Sequence, residues 1–197
     1  MRIATWGIVG SGQVSENCRL ILAYEALGPG ADASARGRFL ALRALADMTG
    51  RSFADSVVSR GSHGRPYIPG APSFSITHCR GLVVAAVVKH GTVGVDAEAD
   101  NRPTARVLRK ICDAEEQLLA DREGATWVWV AKEAAIKCAG LSVLMAGQVR
   151  LWPAFAALRN QLFYLQRPLL AAGFAVAIAS SEPIADNEIL IHRPPEP

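Results

Sequence analysis

GLVVAAVVKHGTVGVDAEAD, residues 81–100, carries the reading on which the fold turns. Gly81–Val88 is apolar and rich in β-branched side chains, the composition of a strand buried on both faces. Lys89, His90 and Gly91 form a connection of hairpin length, and Thr92–Glu98 is expected to return as the next strand. Asp96 and Glu98 lie two residues apart on that strand. Side chains at i and i+2 of a strand share one face, so two carboxylates leave an apolar core on the same side. Like charges so close repel unless a cation sits between them. Such oxygen ligands suit Mg²⁺, which takes one or two carboxylates together with substrate phosphates. For an isolated D-x-E the plainer reading is a wet strand end whose acids face water.

The chain has 197 residues, 50% of them hydrophobic and 20% charged, enough apolar material for one large domain or two small ones. A formal net charge of +3 is far below that of a nucleic-acid binder. Cys18, Cys79, Cys112 and Cys138 are scattered and form no C-x-x-C pair, which argues for reduced thiols rather than a zinc site or a disulfide framework. No stretch approaches the ~20 apolar residues of a membrane span. The N-terminal segment MRIATWGIVGSG lacks the features of a secretory signal, and a cytoplasmic location is expected. It reads as a first strand, Ile3–Val9, followed by a turn in which Gly10 and Gly12 make only a lone G-x-G.

Residues 32–46 have helical spacing, with Phe39, Leu42, Leu45 and Ala46 as the apolar stripe and Thr49–Gly50 as the stop. Arg36 and Arg43 fall off that stripe, and Arg38 lies at its edge. Residues 62–73 form a Gly- and Pro-rich loop. Phe74 and Ile76 then alternate with Ser75 and Thr77, the pattern of a strand with one polar face. Val107, Leu108, Ile111 and Leu118 mark a helical patch, and a longer helix is expected over 125–139, ended by Gly140. Residues 173–180, GFAVAIAS, echo GLVVAAVV in the frame Gly-bulky-x-Val-Ala. That echo predicts two similar α+β halves with a seam near residue 92, and clefts between halves are common ligand sites. The expected division is 1–92, 93–190 and a frayed tail at 191–197.

Two further elements carry chemistry. In WVWVAKEAAIKCAG (127–140), Glu133 and Lys137 stand at i and i+4 on one helical face, while Lys132 points elsewhere. Trp129, Ile136 and Ala139 can anchor the helix. Arg36, Arg38, Arg65 and His78 have the chemistry of a phosphate-binding group, since arginine grips phosphate through two parallel hydrogen bonds. A surface Glu–Lys pair and a structural histidine are the ordinary alternatives.

In order, the blocks are G-R-P, F-S-I-T-H, G-V-D-A-E and W-V-A-K-E-A-A-I-K-C-A-G. Over residues 32–140 this set resembles the 4′-phosphopantetheinyl transferases, specifically the larger, surfactin-synthetase-activating type, with the pattern G-K-P, N-I-S-H-S, G-(I/V)-D-x-E and W-x-x-K-E-x-x-x-K-x-x-G. The resemblance implies a cytoplasmic enzyme of the holo-acyl-carrier-protein synthase kind. Such an enzyme moves phosphopantetheine from coenzyme A to a serine of an apo acyl or peptidyl carrier protein and releases 3′,5′-ADP. It implies two pseudo-symmetric α+β halves with the active site in the cleft between them. It also implies that Asp96, Glu98 and Glu133 hold Mg²⁺, with Glu98 reaching the ion directly or through water. Glu133 would act as base or position it, and Lys137 would assist the leaving phosphate. On the coenzyme A side it implies Arg65, Pro66, Thr77 and His78, with Arg36 or Arg38 from the first helix.

The chain departs from that pattern at Ser75, Thr77 and Cys79, which stand where the family has Asn, Ser and Ser. Glu115 survives as an outer or structural acid, but the aromatic pair five and four residues before it is replaced by Lys110 and Ile111. Carrier proteins are acidic, so basic residues are expected to guide docking, and the internal repeat suggests a monomer. Partners of other kinds, nucleic acid or membrane, are not expected. Two alternatives use the same residues: a metal-dependent pyrophosphohydrolase acting on coenzyme A, and a non-catalytic paralogue that binds a carrier.

Overall fold

The computed structural model describes residues 2–5, 14–100, 102–103 and 105–193. The first part of the chain forms β1 (Arg2–Thr5), β2 (Leu20–Ala26), α1 (Ala33–Thr49), β3 (Ser59–Arg60), β4 (Pro66–Tyr67), β5 (Phe74–Cys79) and β6 (Leu82–Val88). The second forms β7 (Val93–Ala99), α2 (Ala105–Ile111), α3 (Ala114–Glu123), α4 (Ala125–Ala139), β8 (Arg150–Trp152), β9 (Phe155–Leu158), β10 (Gln161–Gln166), β11 (Phe174–Ser180) and β12 (Ile189–Arg193). Of the expected first strand, Ile3–Val9, the part to Thr5 lies in β1; its remainder, with Gly10 and Gly12, lies outside the described residues.

Two five-stranded sheets result, ordered β1-β12-β2-β6-β5 and β7-β11-β10-β9-β8. Each strand alternates its side chains between two faces, and the apolar residues fill both. Val83, Ala85 and Val87 of β6 pack with Leu40, Ala41, Ala44 and Leu45 of α1. Leu82, Val84, Ala86 and Val88 point the other way, into a core shared with Val93, Val95 and Ala97 of β7 and with Val176 and Ile178 of β11. Ala177 and Ala179 of β11 face a third core built around α4. The layers therefore run helix, sheet, sheet, helix: an α+β fold.

The helices begin and end on local chemistry. Asp32 caps α1 by accepting from the Ala35 N–H at 2.9 Å, and Gly50 closes it in the left-handed region at φ 68°. Gly140 ends α4 at the same φ of 68°. α4 spans the expected residues.

The structure departs from the sequence reading in four places. β6 and β7 form no hairpin: β2 and β5 already occupy both edges of β6, so β7 crosses to the second sheet and pairs with β11. The residues expected to start a tail at 191 belong to β12, which lies parallel between β1 and β2 and buries Ile189 and Ile191. The buried face of α1 is Gly37, Leu40, Ala41, Ala44 and Leu45, not the stripe that begins at Phe39; small residues let the helix sit close on the sheet, and Phe39 is left 48% exposed. The patch over 107–118 is two helices, α2 and α3, and Leu119 rather than Leu118 is buried.

One contact sets the position of α4. A Cβ on Gly94 would collide with the Ala134 carbonyl oxygen and the Cys138 nitrogen of that helix. Only hydrogen fits there, and the backbones of β7 and α4 touch. Gly94→Ala is expected to destabilise the fold by about 3 kcal/mol, the upper range for overpacking because backbone rather than a side chain must yield. The midpoint of urea unfolding measures it.

Candidate active site

The site grows from the place where the two sheets meet. On β5, Phe74 and Ile76 face α1, so Ser75, Thr77 and Cys79 face the opposite way, toward β7. Ser73 precedes them with the same spacing. The Ser73 hydroxyl accepts the Val93 N–H at 3.3 Å, and the Ser75 hydroxyl accepts the Val95 N–H at 3.1 Å. These bonds satisfy backbone donors on the edge of β7 that no strand pairs. Farther along, the Thr77 hydroxyl donates to Asp96 Oδ1 at 2.9 Å.

Asp96 is 6% exposed. It lies two residues beyond Gly94 and therefore on the α4 side of β7. From α4, Lys137 Nζ donates to the same Oδ1 at 2.6 Å and to the Val95 carbonyl at 3.2 Å. Glu133 stands one turn earlier on α4. Burial, then the Asp96 charge and more weakly that of Glu98, pushes its carboxyl up to about 7 against the opposing pull of Lys137. Glu98, half-buried, accepts the Ala99 N–H at 3.1 Å. Cys79 closes the row: burial first, then the Glu98 and Asp96 charges, hold its thiol at about 11, so it is neutral at physiological pH.

The structure thus brings Thr77, Asp96, Glu98, Glu133 and Lys137 together. The basic residues sit elsewhere. Arg65 spans the other end of the seam, donating to the Ser73 hydroxyl at 2.8 Å and to the Cys138 carbonyl at 3.3 Å. With Pro66 and Tyr67 it lines a cavity of about 280 Å³. Arg36 is paired with Glu25 at 2.5 Å and lies 5.0 Å from the Phe39 ring. Arg38 and His78 are exposed. His78 and Glu25 both stand opposite Val83, in a row across the α1 face of the first sheet. His78 is next to Thr77 in sequence but on the other face of β5.

Three participants were not legible in the sequence. Ser73 fell at the end of the Gly- and Pro-rich loop and Ser75 on the polar face of the strand after it; the regular Ser-x-Ser-x-Thr spacing was the signal available. Lys132 is completely buried. Its ammonium meets both Glu116 carboxylate oxygens at 2.8 Å, the Ile111 carbonyl at 2.9 Å and the Val149 carbonyl at 2.6 Å. This cluster ties α4 to α3 and β8 and sets the rotation of the helix that carries Glu133. The buried acid of α3 is therefore Glu116, while Glu115 is exposed.

The oxygen ligands the site offers are the carboxylates of Asp96, Glu98 and Glu133, whose charges act on one another, and Lys137, paired with Asp96, is the one cation that also acts on Glu133. That surplus of negative charge and that donor type fit a hard divalent cation. Among the described residues no three His, Cys, Asp or Glu side chains stand close enough to hold an ion as they are, so the fit is one of charge and donor chemistry.

Fold and site together define an α+β protein with an acidic site at the junction of two sheet-and-helix units. A family model of the 4′-phosphopantetheinyl transferase superfamily matches residues 92–174, and one of the 4′-phosphopantetheinyl transferase N-terminal domain matches residues 32–88. The two matches cover more than two thirds of the chain and part at the β6–β7 crossing. The chain belongs to the 4′-phosphopantetheinyl transferase superfamily, whose general activity is phosphopantetheine transfer. A comparison with curated proteins returned no match. Among the described residues, no helix is long and apolar enough to cross a membrane.

The Glu133 environment gives a pH signature. Its folded pKa of about 7 lies above the ordinary 4.5, so the folded form holds a proton that the unfolded form has lost. Stability from this group is full below pH 4.5 and is lost as pH rises through 7. With EDTA present, Glu133→Gln should melt higher than wild type at pH 8, and the gap should close toward pH 4.5. Thermal unfolding across that range reads the effect.

Proposed function

We propose that this chain is a transferase of the surfactin-synthetase-activating type that moves 4′-phosphopantetheine from coenzyme A to a serine of an apo acyl or peptidyl carrier protein and releases 3′,5′-ADP. The observation that carries the reading is the convergence on Asp96 of Lys137 from α4 and Thr77 from the other sheet, beside a Glu133 whose carboxyl titrates near neutrality. We place the functional division at the β6–β7 crossing, with the coenzyme A phosphates on the first half and the chemistry on the second. The enzyme works as a cytoplasmic monomer.

The carrier serine oxygen attacks the β-phosphorus of coenzyme A. A new P–O bond forms while the bond to the 3′,5′-ADP oxygen breaks. Glu133, whose carboxyl in the metal-free site is pushed up to about 7, receives the serine proton. Lys137, 32% exposed at its side chain, uses two ammonium protons on Asp96 and the Val95 carbonyl, and the third reaches the leaving phosphate and neutralises or protonates it. Asp96, Glu98 and Glu133 would hold Mg²⁺, which supplies charge neutralisation on the pyrophosphate. Arg65 and His78, with Arg36 or Arg38, bind the coenzyme A phosphates. Arg36 does so only by exchanging Glu25 for the ligand.

Incubation with coenzyme A, Mg²⁺ and a panel of apo carrier proteins, followed by intact-mass spectrometry, tests the assignment. Transfer to a carrier serine is expected. Free phosphopantetheine without carrier modification would instead establish the hydrolase, and bound but unturned coenzyme A the non-catalytic paralogue. Lys137→Ala should lower kcat by about 100-fold, the usual loss on removing one charge-stabilising donor, with a much smaller change in coenzyme A affinity. A pure affinity loss would remove its leaving-group role.

A further inference from the structure

Thr77 has one hydroxyl proton, and that proton is directed at Asp96 Oδ1, 2.9 Å away. Lys137 reaches the same oxygen at 2.6 Å. Oδ1 thus carries two donors, and no other hydrogen bond to the Asp96 side chain is made among the described residues. We propose that Thr77 is a positioning residue for the divalent cation: with Lys137 it holds Oδ1 and turns Oδ2 alone toward the ion, so that Asp96 is a one-oxygen ligand. The inference rests on the metal reading given above.

The two donors do different work. A carboxylate rotates freely about its last bond between two equivalent orientations. Lys137 is long, and its side chain is 32% exposed, so it fixes a distance but not a plane. Thr77 is 6% exposed, sits on a strand paired along its length with β6, and is stiff at χ1 because it is β-branched. It comes from the opposite sheet to Asp96 and approaches from a second direction. Together they set the plane of the carboxylate before an ion arrives. Mg²⁺ demands near-ideal octahedral geometry, and a ligand contributing one oxygen leaves more positions for pyrophosphate.

Phosphate oxygens accept hydrogen bonds, so a hydroxyl can bind phosphate only through its proton. The Thr77 proton is directed at Asp96, so the coenzyme A contact expected from the sequence would require the hydroxyl to turn away from that carboxylate.

Mn²⁺ is the probe, titrated without coenzyme A and followed by the electron paramagnetic resonance of the free ion. Thr77→Val should weaken Mn²⁺ binding by ~10–100-fold, the usual effect of losing a hydrogen bond to a metal ligand. Thr77→Ser keeps the hydroxyl and should bind within a few-fold of wild type. Wild-type affinity in Thr77→Val overturns the proposal; so does an equal loss in Thr77→Ser, which would point to packing of the methyl group. Circular dichroism confirms each fold, and Thr77→Ala replaces the valine variant if that one does not fold. Asp96→Asn separates the two levels: if it binds Mn²⁺ as tightly as wild type, the metal reading itself fails.

Discussion

The backbone contact between β7 and α4 at Gly94 governs the rest of the site. A side chain there would push the helix off the sheet. With hydrogen alone at Gly94, the same face of β7 continues to Asp96 directly beneath α4, where Lys137 reaches it at 2.6 Å. Glu133, one turn back, is drawn into the same partly buried space. A glycine with no chemistry of its own thus sets the distance between two groups that have a great deal.

The second constraint is the seam between the sheets. β7 is an edge strand, and an unpaired edge is a liability. Here hydroxyls from β5 and the residue before it take the place of a pairing strand, each bond contributing about 0.5–1.5 kcal/mol. The row runs Ser73, Ser75, Thr77 and then Cys79. Its first members serve backbone and its third serves the Asp96 carboxylate, so the row that joins the sheets also reaches the candidate site. Arg65 fastens the far end of the seam to the end of α4.

Two adjacent residues of α4 show how burial separates structure from function. Lys132 and Glu116 are buried with all their charge matched, and carbonyls and backbone N–H groups take up what remains. Such a closed network specifies geometry and resists change. Glu133 is enclosed with too many negative neighbours and one lysine, and its carboxyl is displaced toward neutrality. Perturbation of that kind marks places where protons and ions are handled.

Periodicity and local chemistry determined a good part of this protein without any structure. The limits of α4, the strand at 173–180, the shared face of Asp96 and Glu98, and the common helical face of Glu133 and Lys137 follow from repeats of 3.6 and 2 and from glycine stops, which act over a few residues. Partner choice does not act locally. That β7 leaves β6 for β11 depends on β6 having both edges filled, one of them by a strand about sixty residues earlier in the chain. That residues 189–193 join the first sheet depends on a gap between β1 and β2. The roles of Thr77, Ser73, Lys132 and Arg65 depend on what faces them across a seam or a helix packing. The sequence alone set which residues could share a face; only the folded chain decided what that face meets, because a hydrogen bond is specified by both of its ends.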